Sequence, residues 1–191
     1  MKFIIEHLEP ELYEWCLIEY EHISKIAGKD SVMFTNINKK YYKKLQKYGK
    51  VSEKSVSKLK LKNICVLSQY SKKTLASKDK NKLQYFVVGG ILGDNPAKKI
   101  TNILINNLKK HKIKFEARNL GNLQMPTDNA VYVAKNILDG KKLNDFRFVD
   151  ELEIEINQNE SITLPFRYVV DKNKVVISKK LVGYLRKRKE F

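Results

Sequence analysis

The chain has 191 residues, 42% of them apolar and 10% aromatic, which suits one substantial core with at most a small second module; no apolar stretch is long enough to span a bilayer. Cys16 and Cys65 are the only cysteines, each inside an apolar run, and His7, His22 and His111 show no ligand spacing, so a disulfide framework, a metal cluster and a catalytic thiol all lack support. The net charge of +17 is uneven: six glutamates face Lys2 and Lys25 over residues 1–28 (net −4), fifteen lysines face Glu53 and Asp79 over 39–82 (net +13), and eight basic side chains face Asp171 and Glu190 over 171–191 (net +6).

Lys2-Phe-Ile-Ile5 reads as an opening strand. Glu6 and His7 follow it at once, against a secretory signal, so a cytosolic, cytoplasmic protein is expected. Pro10-Glu11 then starts a helix whose apolar positions Leu12, Trp15, Cys16, Ile18, Tyr20 and Ile23 recur at helical spacing up to Gly28. A second strand is expected over 32–35. The next thirty residues are polar, lysine-rich and weakly patterned, with helices expected over 40–48 and 53–58. Strands over 63–67 and 85–88 come next, then a helix over 98–110 with Ile100, Ile103, Leu104 and Leu108 on one face. A fifth strand over 114–117 precedes a helix over 127–138 that turns Ala130, Val131, Val133, Ala134, Ile137 and Leu138 inward. Residues 146–156 alternate apolar and acidic side chains as a half-exposed strand does, and 164–170 and 175–177 read as extended.

Strand and helix alternate along the chain, which implies an α/β fold with a mostly parallel sheet covered by helices on both faces. One domain is expected over 1–191, with a lysine-rich peripheral region at 39–82 and an extended tail at 157–191. The two basic blocks favour a polyanionic partner, and Tyr41, Tyr42, Tyr48 and Tyr70 among the lysines favour RNA or ribosome contact. The competing reading is that the lysines decorate a solvated surface.

Two segments stand out. Tyr85-Phe-Val-Val-Gly-Gly-Ile-Leu-Gly-Asp94 runs a strand into three glycines, which let backbone approach a ligand closely. Asn119-Leu-Gly-Asn-Leu-Gln-Met-Pro-Thr-Asp128 ends in a capping sequence before an apolar helix. Both leave strands at the end where α/β sheets bind ligands, so they read as two walls of one small-molecule site. The glycine pattern G-G-x-x-G-D comes too late in the chain for a dinucleotide fingerprint, and no phosphate loop with Gly-Lys-Ser/Thr is present. A site rich in backbone amides and poor in phosphate-binding cations suits adenosine with a zwitterionic tail, and S-adenosylmethionine fits that description.

The start Met1-Lys-Phe-Ile-Ile-Glu-His-Leu-Glu-Pro-Glu-Leu-Tyr-Glu-Trp-Cys-Leu-Ile-Glu-Tyr20, the segment Tyr85 to Asp94, Leu120-Gly-x-x-Gln-Met-Pro-Thr-Asp-Asn-Ala130 and Leu164-Pro-Phe-Arg-Tyr-Val169 together resemble a SPOUT-superfamily group. It is the protein-arginine methyltransferase family acting on a small-subunit ribosomal protein, formerly described as RNA methyltransferases. The resemblance covers most of the chain. It implies a deep trefoil knot in the C-terminal half, an exception to the rule against threading, with S-adenosylmethionine bound in it. Val88, Gly89, Gly90, Leu92 and Gly93 would then line the adenosyl pocket by backbone, and Leu120, Gln124, Met125 and Thr127 would close it from the other side. Asp94 and Asp128 would lie near the sulfonium. The chain departs from the family where Val66-Leu-Ser-Gln-Tyr70 replaces an aspartate–proline turn, and the lysine-rich region matches poorly.

Methyl transfer to arginine needs the guanidinium held in line and relieved of a proton, and carboxylates do both. The candidates are Asp94, Asp128, Glu160, Glu6 and Glu9; each has a structural reading as a cap or surface charge, and Asp94 leads because it ends the glycine segment. Arg167 either grips the cofactor carboxylate or an anionic substrate, or pairs with Glu160 to pin the tail. Trp15 and Tyr20 read as core. Three functions compete: methylation of an arginine of a ribosomal protein, methylation of ribosomal or transfer RNA, and non-catalytic RNA or ribosome binding, which intact glycine segments oppose. Most SPOUT enzymes dimerise through the knot, whereas the resembling arginine methyltransferase is expected to be a monomer.

Overall fold

The structure, a computed structural model, describes residues 1–92 and 101–187. Strand β1 (Lys2–His7) leads through helix α1 (Glu14–Ala27) to β2 (Val32–Thr35), and the short helix α2 (Tyr42–Leu45) leads to β3 (Lys50–Val51). Next come β4 (Ile64–Leu67), β5 (Tyr85–Gly90), α3 (Thr101–Lys110), β6 (Phe115–Arg118) and α4 (Thr127–Leu138). The six strands form one sheet in the order β3-β2-β1-β5-β4-β6. Every pairing in it is parallel, as expected for strands joined by crossovers.

Side-chain alternation sorts the strand residues into two cores. Phe3, Ile5, Phe34, Phe86 and Val88 join Tyr20 and Ile23 of α1 and Val131, Ala134 and Leu138 of α4. The intervening residues Ile4, Met33, Val66 and Val87 join Leu104 and Leu108 of α3, with Val56. Phe3, Ile5, Phe34 and Ile4 are at most 1% exposed. Each fully buried side chain of this size contributes about 1.5–3 kcal/mol, so these strands are held by burial as much as by their ladders.

Beyond α4 the chain is antiparallel. β7 (Arg147–Val149), β10 (Tyr168–Asp171) and β11 (Lys174–Val175) make a sheet of order β11-β10-β7, and β8 (Leu152–Asn157) with β9 (Glu160–Leu164) makes a separate hairpin. Helix α5 (Lys179–Lys187) closes the described chain. Its Leu181 and Leu185 pack with Ile154, Leu164 and Tyr168 against Ile18 of α1. Among the described residues no helix is long and apolar enough to cross a membrane.

Several sequence expectations shift. The first helix starts at Glu14 rather than Pro10, because residues 8–13 form an irregular crossing in which Leu8 donates to Gly90 O and Glu9 accepts from the Leu92 amide. The helix expected over 40–48 shrinks to a 3-10 turn at Lys39–Tyr41 followed by α2, in which Leu45 alone is buried. The one over 53–58 is a 3-10 turn at Val56–Lys58. Without an apolar stripe a longer helix has nothing to bury there. The single strand expected over 146–156 is broken at Asp150-Glu151 into β7 and β8, which belong to different sheets. Residues 98–100 of the helix expected over 98–110 lie outside the described residues; the rest is α3.

Candidate active site

Both glycine-bearing segments leave the sheet at the C-terminal ends of its strands, and a cleft partly open to solvent lies between them. Val88, Gly89, Ile91 and Leu92 form one wall; Leu120, Gly121, Leu123, Gln124, Met125, Pro126, Thr127 and Ala130 form the other; Leu67 to Tyr70, Thr101 and Phe166 complete it. None of the described lining residues is charged. The cleft therefore offers apolar surface, hydroxyls, two carboxamides and backbone groups.

Hydrogen bonds hold the walls in place. Thr127 Oγ1 reaches the carbonyls of Gly89 (3.5 Å) and Ile91 (3.4 Å), directly joining the two segments. Arg167 N donates to Gln124 O (2.9 Å), fastening the tail to the second wall. After β4, Ser68 N donates to Arg118 O, Leu75 N to Asn119 O and Asn119 N to Lys73 O, so the loop beyond β4 is stitched to the segment leaving β6. Asn119 continues this, its Nδ2 donating to Ser71 O and its Oδ1 accepting from Gly121 N. Gly121 has φ +100, which an L side chain rarely adopts, so this turn requires glycine.

Behind Thr127 lies a buried polar cluster between α1 and α4. Asp128, 2% exposed, takes His22 Nδ1 on Oδ2 at 2.6 Å and the Asn129 amide on Oδ1 at 2.7 Å. Glu19 accepts from Trp15 Nε1 at 2.9 Å. Burial first, and then the charge of Asp128, push its carboxyl well above the usual range, against hydrogen bonds from Trp15 and Thr127. Burial, together with Asp128 and Glu19, likewise pushes up the Tyr168 phenol, whose hydroxyl has no hydrogen-bond partner among the described residues. Asn129 ties α4 to the tail by accepting from Val169 N and donating to Val176 O, both at 2.9 Å.

Of the residues expected to surround a cofactor, Val88, Gly89, Leu92, Leu120, Gln124, Met125 and Thr127 line the cleft. Gly90 does not: its missing side chain makes room for Tyr20, whose hydroxyl a Cβ would strike and which bonds His7 Nδ1 at 2.8 Å. Gly93 and Asp94 lie outside the described residues. Thr127 and Asp128 do not cap α4, whose N-cap is Pro126 without a side-chain cap. Asp128 is turned into the α1–α4 cluster instead of lining the cleft.

The other candidate carboxylates separate. Glu6 is buried and accepts from Thr35 Oγ1 (2.6 Å) and Val56 N (2.9 Å), pinning a surface turn to β1. Glu160 is exposed in the hairpin and accepts from Asn157 Nδ2. Glu9 Oε1 accepts from the Leu92 amide at 2.8 Å and is thus joined to the lining. Arg167 pairs with Asp150 at 2.6 Å rather than with Glu160, because β7 and β10 lie side by side. Its guanidinium stacks over Phe148 at 5.0 Å. Sequence reasoning missed the contribution of 68–70 and Phe166 to the cleft. The signal for 68–70 was present, since this segment also leaves a parallel strand at its C-terminal end.

Comparison with known proteins gives a consistent result. Protein arginine N-methyltransferase SFM1 of Saccharomyces cerevisiae is 32% identical over 205 residues, covering 98% of this chain and 95% of the yeast protein. The crystal structure of the yeast arginine methyltransferase SFM1 complexed with SAM superposes with a TM-score of 0.87 at 29% identity, covering 97% of this chain and 90% of that one. A dual-specific Trm10 from Thermococcus kodakaraensis shares the fold at a TM-score of 0.57 and 16% identity, over 75% of this chain and 95% of that one. The model of the family described as protein arginine N-methyltransferase SFM1-like matches residues 2–190, and the chain belongs to that family.

Proposed function

We propose that this protein transfers the methyl group of S-adenosylmethionine to an arginine side chain of a small-subunit ribosomal protein. The observation that carries the reading is the cleft between the two glycine-bearing walls, uncharged among its described residues, in a chain of this family. Its apolar lining and exposed backbone fit an adenosyl group, and the absence of a cationic side chain from the described lining argues against a polyphosphate ligand. The SAM complex of the yeast relative supports the same cofactor here. Val88, Gly89, Leu92, Leu120, Gln124, Met125 and Thr127 would hold it.

When bound, the cofactor supplies an electrophilic methyl group. The protein has to bring a guanidinium nitrogen in line with it and accept the proton that nitrogen loses as the N–C bond forms and the S–C bond breaks. Glu9, anchored through one oxygen to the Leu92 amide, would receive a guanidinium with the other. Asp94 keeps the role that the family resemblance gives it. Asp128 acts from behind the wall, steadying the first turn of α4 on which Thr127 sits.

The trefoil knot belongs to the same proposal. The bonds between the loop after β4 and the segment leaving β6 support it, since they bring those two passages of chain together just before α4. Cores shared with α1 and α4 on one side and α3 on the other support helices on both faces of the sheet. A cytoplasmic monomer is proposed with them.

Calorimetry with S-adenosylmethionine, followed by transfer of labelled methyl groups to ribosomal proteins or to stripped ribosomal RNA, tests the reading. Saturable binding with label on protein arginine is expected. Label on RNA alone would move the acceptor to RNA, and no cofactor binding would remove methyl transfer altogether.

A further inference from the structure

The two basic blocks, far apart in the sequence, meet at one carboxylate. Glu21 of α1 accepts from Lys25, from Tyr48 Oη of the lysine-rich region and from Lys180 of α5, each at 2.7 Å. Lys47 lies 4.8 Å above the Tyr48 ring. Toward the start of α1 the same segment is fastened again, because Lys40 and Tyr41 both bond Glu11, and Lys40 and Lys44 lie over the Tyr41 ring at 4.9 and 5.9 Å. Residues 40–48 thus run beside α1 from Glu11 to Glu21.

This arrangement offsets part of the acidic character of the N-terminal segment. Glu11 and Glu21 are taken up by lysines and tyrosines, and Glu6 and Glu19 are buried. The positive charge remains outward: Lys25 and Lys180 are 63% and 59% exposed even while bonded to Glu21, and each ammonium has further donors. Lys43, Lys44 and Lys47 are exposed and have no carboxylate partner among the described residues.

We infer that the face running along residues 41–48, with Lys43, Lys44 and Lys47, and continued across Glu21 by Lys25 and Lys180, docks the phosphodiester backbone of RNA. None of these residues lines the cleft, so the face is a second site, independent of the methyl-transfer reading. Clustered ammonium groups neutralise successive phosphates and release their counterions, and the half-buried tyrosines beneath them hold the lysines along this face. An anionic membrane is a poorer match, because the exposed large apolar side chains, Met1, Tyr13, Tyr70, Ile103 and Leu123, all lie outside 39–48 and α5.

The test separates placement from total charge. A fluorescent single-stranded RNA is titrated with the full-length protein at rising KCl, using wild type, the pair Lys44→Glu/Lys47→Glu, and the pair Lys58→Glu/Lys62→Glu. The second pair makes the same charge change beside Leu59 and Leu61, which pack on the other core. The inference expects Lys44→Glu/Lys47→Glu to weaken binding about tenfold or more and to lower the salt slope by about 1.4, the value for two lost single-strand phosphate contacts. The control pair should stay within about twofold. Equal weakening by both pairs, binding insensitive to salt, or a polyglutamate peptide held as tightly as RNA through the same lysines would each overturn it. Cofactor affinity measured on the same preparations shows that the variants are folded and reports separately on methyl transfer.

Discussion

At the scale of single residues, Gly90 and Glu9 make sharp predictions. Gly90 stands opposite His7 in the β1–β5 ladder, where a methyl group would meet the Tyr20 hydroxyl and approach Ile5 Cγ2 to 2.9 Å. Gly90→Ala should therefore destabilise the protein by about 1–3 kcal/mol in urea unfolding, as overpacking of a filled core does. Adding Tyr20→Phe removes the struck atom, so the double variant should lose less than the two single losses combined; simple additivity would show that the hydroxyl is not the obstacle. Glu9→Gln tests activity instead. The amide oxygen can still accept from Leu92 N, while the charge that would hold a guanidinium is gone. Transfer to arginine should fall by roughly a hundredfold with cofactor affinity within about twofold; unchanged turnover would take Glu9 out of the reaction.

At the scale of elements, α1 and α4 meet through carboxylates that do not share their environment equally. Burial and the Asp128 charge raise the Glu19 carboxyl above its unfolded value near 4.5. A group that holds its proton more tightly when folded contributes stability that is complete below the unfolded value and is lost as pH rises through the folded one. Glu19→Gln keeps an acceptor for Trp15 and cannot ionise, so it should be more stable than wild type at pH 8, by about 1–3 kcal/mol, and lose that advantage near pH 4. Chemical denaturation at the two pH values checks this, and an advantage that does not vary with pH would refute it. This contact also shows what was legible beforehand. The spacing of Trp15, Tyr20 and Ile23, and of Val131, Ala134 and Leu138, gave both helices, because burial imposes a period on sequence. The polar contacts between them had no local signature: His22 and Asp128 are 106 residues apart, and only the crossing of the helices pairs them. Likewise the two walls could be read from their glycines and from Pro126, whereas no residue of Ser68 to Tyr70 marks a ligand and only their place beyond the C-terminal end of β4 pointed to the cleft. The run 146–156 was misread for a related reason, since alternation looks the same whether it is one strand or two strands in different sheets.

At the scale of the whole molecule, Glu21 is where the lysine-rich region, the first helix and the C-terminal helix are joined. Burial opposes its charge, but hydrogen bonds from Lys180, Lys25 and Tyr48 overcome it and bring the carboxyl down to about 2. Its folded value is below the unfolded one, so its contribution is present above pH 4.5 and is lost as pH falls toward 2. In a chain of net charge +17 that carboxylate also separates two lysines that would otherwise face each other. Glu21→Gln leaves Lys25 and Lys180 without their shared counter-charge. Because both lysines are largely exposed, the effect should be modest and screened: Tm should fall by about 2–4 °C in dilute buffer near neutral pH. The deficit should shrink as KCl is raised past the point where the Debye length drops below about 8 Å. It should also vanish on acidification, where the wild-type carboxyl is itself protonated. Scanning calorimetry of the two proteins across salt and pH distinguishes this from a packing defect, which would cost the variant the same Tm in every buffer.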